Sequence, residues 1–343
     1  MIKNGVIKRI NYKNEREMNK ILLAIILLTT FSCVEKNEPK IRSGRVSINI
    51  DLSESSKNKN AEVWILKPVS SDNQKISSVA INGAPVGQSE YIHAEWDKNN
   101  NSKKLTFNFD VESREIRFTN LKSKGEVIPE DIKPFLAPSK FIPTDGKIKE
   151  IAEQAAKNEN TILGKARAIY DWVVMNTKRD PDVRGCGVGI VEQTITKLSG
   201  KCADLSSVYV SMARAVGVPS REVFGLRLGK KNDQDMTGGY HCWAEFFLPG
   251  TGWVPVDPSD VRKYMLTEKK ELSEVKELRE YYFGSVDQYR VALKHGGRGI
   301  VLAPPQKDQP INYLMYPYAE VDGKALDYFE PGSFKFSVHF NEI

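Results

Sequence analysis

The feature that most limits what this chain can become is a change of hydrophobic period along it. From Arg45 to Phe118 apolar residues alternate with polar ones: Val46, Ile48, Ile50 and Leu52 in one run, Leu105, Phe107, Phe109 and Val111 in another. Successive side chains of a strand point to opposite faces, so this period makes half-buried strands. "AEVWILKPV" and "KISSVAINGAPVG" lie between them with Gly, Pro and Asn turns and no helical stretch. An antiparallel β-sandwich over 45–128 is the expectation. A Pro-rich connector, 129–144, separates it from the rest.

Beyond the connector the period lengthens. Ile148, Ile151, Ala152 and Ala155 take i, i+3, i+4, i+7 spacing behind Asp145, and Ala166, Ile169, Tyr170 and Val173 repeat it behind Thr161. A glycine-dotted loop, "RGCGVGIVEQ", comes next. A third helix then carries Leu205, Val208, Tyr209, Met212 and Ala215 on one face and stops at Gly217 and Pro219. Strands return in "REVFGLRLG", "GGYHCWAEFFLPG" and "GWVPVDPSD". The run 267–282 has the pattern of one charged amphipathic helix, and the remainder is strand-like. The fold class is therefore α+β, with a mixed domain over 145–343 that ends in a β extension.

At 343 residues the length suits two domains. The net charge of +6 is unevenly placed: residues 1–33 hold six Lys/Arg and two Asp/Glu, which leaves 44 basic against 42 acidic residues in the body. No basic stripe of the kind nucleic acid requires is present in that body.

The leader is "MNKILLAIILLTTFSC", Met18 to Cys33. Lys20 supplies a positive start, and Ile21–Leu28 is too short an apolar run to span a bilayer. Residues 1–33 are thus expected to form a signal peptide, with Met18 a plausible true start. The small residue Ser32 before Cys33 resembles a bacterial lipoprotein signal, which implies a lipidated Cys33, an exported chain anchored to the cell envelope, and a polar tether over 34–44. Ordinary signal cleavage and an uncleaved anchor are the alternatives.

"GKCADL" places Cys202 at the first turn of the third helix. Unpaired N–H groups and the positive end of the helix dipole favour a thiolate there, and the same N–H groups can face an oxyanion. Gly200 leaves room for a substrate backbone to approach. A buried, inert thiol is the bland reading. A nucleophilic thiol needs a base and that base an acceptor. In "YHCWAEFFLPGTGWVPVDPSD", alternation puts His241, Trp243 and Glu245 on one face of a strand and Cys242, Ala244 and Phe246 on the other. The tight turn at Gly250 returns the chain and brings Asp257 within reach of the His241 ring.

These segments together resemble the transglutaminase-like superfamily over roughly 145–262. The resemblance implies a papain-like core with Cys202 as nucleophile, His241 as general base and acid, and Asp257 as orienting carboxylate. It implies acyl chemistry on peptide or protein amides through a cysteine-acyl intermediate. Release to water (a cysteine protease or amidase) is favoured over release to an amine. The alternatives are a non-catalytic binding or adhesion lipoprotein on a retired fold, and polysaccharide binding through the sandwich.

Gln193 is a candidate second oxyanion donor, with a solvent-facing loop position as its alternative. Asp204 suits the first helical turn. Trp243 and Trp253 are either groove walls or core. Arg290 and His295 are either site-lining or, for His295, a loop surface residue. No paired CxxC or HxxxH spacing is present, so neither a metal nor a cofactor is expected. A Cys186–Cys202 disulfide, which would silence the nucleophile, stays open, and Cys242 is expected to be buried.

Overall fold

The computed structural model describes residues 38–343 apart from 84, 89 and 330–333. The leader, with Met18 and Cys33, lies outside the described residues. Over the described residues no helix is long and apolar enough to cross a membrane.

Six strands come first: β1 (Ile41–Asp51), β2 (Ala61–Leu66), β3 (Gln74–Asn82), β4 (Pro85–Gln88), β5 (Tyr91–Trp96) and β6 (Lys104–Arg114). Helices α1 (Gly146–Ala155), α2 (Ile162–Asn176), α3 (Val191–Lys197) and α4 (Cys202–Ala215) follow. Next are β7 (Ser220–Arg227), β8 (Tyr240–Leu248), β9 (Gly252–Val256), α5 (Pro258–Thr267) and α6 (Lys276–Tyr281). The chain finishes with β10 (Arg290–His295), β11 (Tyr318–Val321) and β12 (Lys335–Glu342). The mixture of antiparallel sheets and helices is the expected α+β class.

The β-rich half is not built from the N-terminal segment alone. One sheet runs β12–β1–β6–β3, with Gln234–Asp235 at its outer edge, and the other runs β11–β2–β5–β4, with Lys324–Ala325 at its edge. Val46 of β1 stands opposite Phe340 of β12 on one side and Phe109 of β6 on the other. The last strands of the chain thus complete both sheets, and residues 39–343 form a single compact unit. β1 begins at Ile41, inside the stretch read as tether, because Ile41–Gly44 pair with Val111–Arg114 and Gly44 also pairs with Glu342.

The second layer is a four-stranded sheet, β9–β8–β7–β10, with α4 against β8. Leu205, Val208, Tyr209 and Met212 of α4 are almost fully buried against Phe246, Val254 and Val256 of the sheet and Ile169 and Val173 of α2. Full burial of each such side chain contributes roughly 1.5–3 kcal/mol, which fixes α4 as the central rod of this half. Gly217 ends it at φ +83, a left-handed conformation that glycine adopts without strain. The connector is not a free linker. Ile142 is buried in the α4 core, and the Ser211 hydroxyl donates to the Pro143 carbonyl.

Two sequence expectations give way here. The strand read through "GWVPVDPSD" stops at Val256; Asp257 caps α5 by accepting from Asp260 N at 2.9 Å, and Pro258 fills the first helical position. The single helix expected over 267–282 is broken: α5 ends at Thr267, Lys269 is left-handed at φ +52, and α6 starts only at Lys276.

Candidate active site

Three neighbouring elements deliver the three expected side chains. Cys202 is the first residue of α4, His241 the second residue of β8, and Asp257 the cap of α5. The α4 start is held by Asp204, whose two carboxylate oxygens accept from Lys201 N at 2.9 Å and Gly189 N at 2.8 Å. A carboxylate there both suits the dipole and ties the 184–189 loop to the helix. Gly200 serves this contact and not a substrate: a Cβ on it would fall 2.5 Å from Asp204 Cβ.

His241 Nε2 and Asp257 Oδ2 are 2.7 Å apart and fully buried. Asp260 Oδ1 lies 3.7 Å from the same nitrogen. Both carboxylates are compensated from across the sheet. Arg290 of β10 donates Nη1 to Asp257 Oδ2 at 2.5 Å and Nη2 to Asp260 Oδ2 at 2.8 Å, and Arg227 of β7 donates to Asp260 Oδ1 at 2.5 Å. Burial pushes the Asp260 carboxyl up, but Arg227, His241 and Arg290 outweigh it and hold it well below its ordinary range. The imidazole is therefore seated in a fixed ionic frame, with Nε2 committed to Asp257 and Nδ1 left for the thiol.

Burial also acts against a Cys202 thiolate. Hydrogen bonds from the Cys186 and Cys242 thiols, with the charge and hydrogen bond of His241, reverse that and hold the thiol well below its ordinary range. The Cys186 thiol is pushed up by its hydrogen bond with Cys202, and the Cys242 thiol by burial. Of the three adjacent sulfurs, Cys202 is the one whose surroundings favour the charged form.

All three cysteines are free, and their sulfurs lie within 4.8 Å of one another. Cys186 arrives from the glycine-rich loop and Cys242 from β8, so no CxxC spacing announced the cluster. Three thiols this close can hold a soft metal ion. The cluster of His241, Asp257 and Asp260 is already neutralised by two guanidiniums.

The Cys202 sulfur is covered. Cys202 is 1% exposed, and the cavity of about 280 Å³ beside it is lined by His241 and Cys186 but not by Cys202. The Cys186 carbonyl accepts from Ala203 N at 2.9 Å and sits 4.0 Å from Cys202 Sγ. It thus occupies one of the N–H groups at the start of α4.

The remaining candidates fall elsewhere. Gln193 is exposed on α3 and lines a separate cavity with Asp204, one that includes neither Cys202 nor His241. Trp243 packs with Val223 and Val286, 6.3 Å from the His241 ring on the same strand face, and Trp253 packs on Phe135 and beneath Arg221. Both are packing residues. His295 is exposed at the end of β10. Arg290 joins the site as its principal ionic support. Asp260 and Arg227 went unread; the Asp-Pro cap followed by an acid in the first helical turn was the available signal for Asp260.

Residues 149–258 match the model of the transglutaminase-like superfamily. An uncharacterized protein of Haemophilus influenzae is 35% identical over 80% of this chain and 84% of its own. A protein-glutamine gamma-glutamyltransferase of Pseudomonas aeruginosa is 35% identical over a short stretch, 18% of this chain and 10% of its own. The crystal structure of a candidate cysteine protease from Cytophaga hutchinsonii shares the fold at 15% identity, with a TM-score of 0.50 over 88% of this chain and 98% of that one. The chain belongs to the transglutaminase-like superfamily.

Proposed function

We propose that the protein is a thiol acyl enzyme acting on peptide or protein amides, with hydrolysis favoured over transfer to an amine. The observation that carries this is the seating of Cys202 at the start of α4 beside an imidazole whose other nitrogen is bound to Asp257 at 2.7 Å. Nδ1 of His241 takes the Cys202 proton. The thiolate adds to the amide carbonyl carbon, the C–N bond breaks, and the imidazolium returns its proton to the leaving amine. Water, deprotonated by His241, then splits the thioester and restores the thiol; an amine in its place gives cross-linking. The Cys186 loop has to move off the sulfur before an amide can reach it. Leader and Cys33 support placing this chemistry outside the cytoplasm on a lipid anchor, and a lipid-modified Cys33 peptide in mass spectra checks that.

The burial of Cys202 favours a second reading, a binding lipoprotein on a catalytically silent fold. Iodoacetamide separates the two. An activated Cys202 labels well below pH 8 and loses that behaviour in His241→Ala. Labelling that follows an ordinary thiol near pKa ~8.5 sinks the enzymatic reading. Cleavage of a peptide library against incorporation of a labelled amine then divides hydrolase from transferase.

A further inference from the structure

Four cationic side chains from four elements meet in the cavity beside His241. Arg179 lies just before the 180–189 loop, Lys201 directly precedes the nucleophile, Arg227 ends β7, and Lys263 rides on α5. No Asp or Glu lines that cavity. Only Arg227 is neutralised, by Asp260. Nη1 of Arg179 is buried without a hydrogen-bond partner, and among the described residues no ion pair reaches the Lys201 or Lys263 ammonium. A guanidinium nitrogen buried without an acceptor is destabilising, since it has given up water for no partner. Like charges sharing about 280 Å³ add repulsion. An arrangement so costly when empty is one that an anion relieves.

We propose that this cavity is a carboxylate-binding subsite, and that the preferred substrate is a peptide with a carboxylate next to the scissile amide. The inference rests on the thiol-enzyme reading above and deepens it. Arg179 offers a planar fork that matches two carboxylate oxygens, while Lys201 and Lys263 act as point charges. Because Lys201 adjoins Cys202 in sequence and His241 lines the same cavity, a carboxylate held there sets an adjoining amide beside the thiol and the imidazole. The carboxylate comes either from an acidic side chain or from a chain terminus.

Two alkylating agents that differ in charge provide the test. Iodoacetate and iodoacetamide are applied at low concentration, where rates rise linearly with reagent, and modification of Cys202 is followed by peptide mass mapping. The iodoacetate-to-iodoacetamide rate ratio at Cys202 is expected to exceed that of N-acetylcysteinamide. It should fall by about threefold or more in Lys263→Gln and again in Arg179→Gln, since the ratio cancels any change in the thiolate fraction and reports the loss of a nearby charge. Lys263 is exposed on its helix, so the first variant retains the fold. N-acetylalanine (terminal carboxylate) and the α-amide of N-acetylaspartic acid (side-chain carboxylate) are then compared with neutral N-acetylalaninamide as protectants against iodoacetamide. Protection by one acid and not by the amide supports the subsite and names the carboxylate's source. A ratio indifferent to both substitutions, or equal protection by all three compounds, overturns it. Failure of the enzymatic reading would show separately, as an ordinary pH profile for iodoacetamide alone.

Discussion

His241 and Arg290 donate to the same carboxylate oxygen, Oδ2 of Asp257, at 2.7 and 2.5 Å. The guanidinium locks the carboxylate plane and partly offsets its charge, so the imidazole is held mainly by direction. Removing one partner of such a buried cluster leaves uncompensated charge. Arg290→Gln is expected to destabilise the protein by about 3–5 kcal/mol in urea unfolding, and Arg290→Lys by less, since an ammonium keeps the charge but loses the fork to Asp257 and Asp260.

Asp257→Asn separates the two jobs of that residue. Asparagine caps helices about as well as aspartate, so α5 and the circular dichroism should persist. The negative charge facing Nε2 is lost, and the amide offers a donor that favours the wrong tautomer. Low-pH alkylation of Cys202 is expected to drop at least tenfold, and an unchanged rate would deny Asp257 its orienting role.

Cys186→Ala tests the thiol cluster. The Cys186 thiol helps to hold the Cys202 thiolate, so its removal moves the pH midpoint of Cys202 labelling upward. A midpoint that stays in place or falls assigns the lowered value to groups other than Cys186, namely Cys242, His241 and the helix dipole.

Asp260 gives a stability prediction in acid. Its folded-state pKa is depressed, so its contribution is complete above the unfolded value near ~3.9 and is lost as pH falls through the folded one. Urea midpoints measured between about pH 2 and 5 should decline on acidification, and the decline should be shallower in Asp260→Asn, which is the less stable protein at neutral pH.

Gly187→Ala probes the cover over the sulfur. Gly187 sits at φ +90, and a Cβ there would lie 1.9 Å from Asp204 Oδ2. The loop must shift, at a cost of about 1–3 kcal/mol in thermal unfolding. Its displacement should also speed iodoacetamide labelling of Cys202; slower labelling would mean that the loop is not the cover.

Cys202, His241 and Asp257 were legible in the sequence because each sits inside a short motif whose local structure is dictated nearby: a helix start, a strand and the end of its hairpin. Their supports were less so: Arg290 was read only as a residue that could line the site and Arg227 not at all, because both reach it only through β10 and β7 being neighbours in a sheet, a pairing set by the whole fold. The three sulfurs likewise meet from a loop, a helix and a strand. The sandwich was legible as strands, but its closure by β11 and β12 was not, since alternation marks a strand and leaves its partner unnamed. The break after Thr267 escaped notice because a charged run with helical spacing looks the same whether or not one residue turns left-handed.

The pairing of β1 with β12 sets these two strands side by side, with the helical layer and its sheet threaded between two halves of one β structure. A nascent chain cannot finish the first half until β12 has been made. A product cut short by even that last strand would carry the bare edge of β1, with Val46, Ile48 and Ile50 deprived of their cover, and would be a template for clumping. Completeness of the tail is thus a condition for the stability of the front.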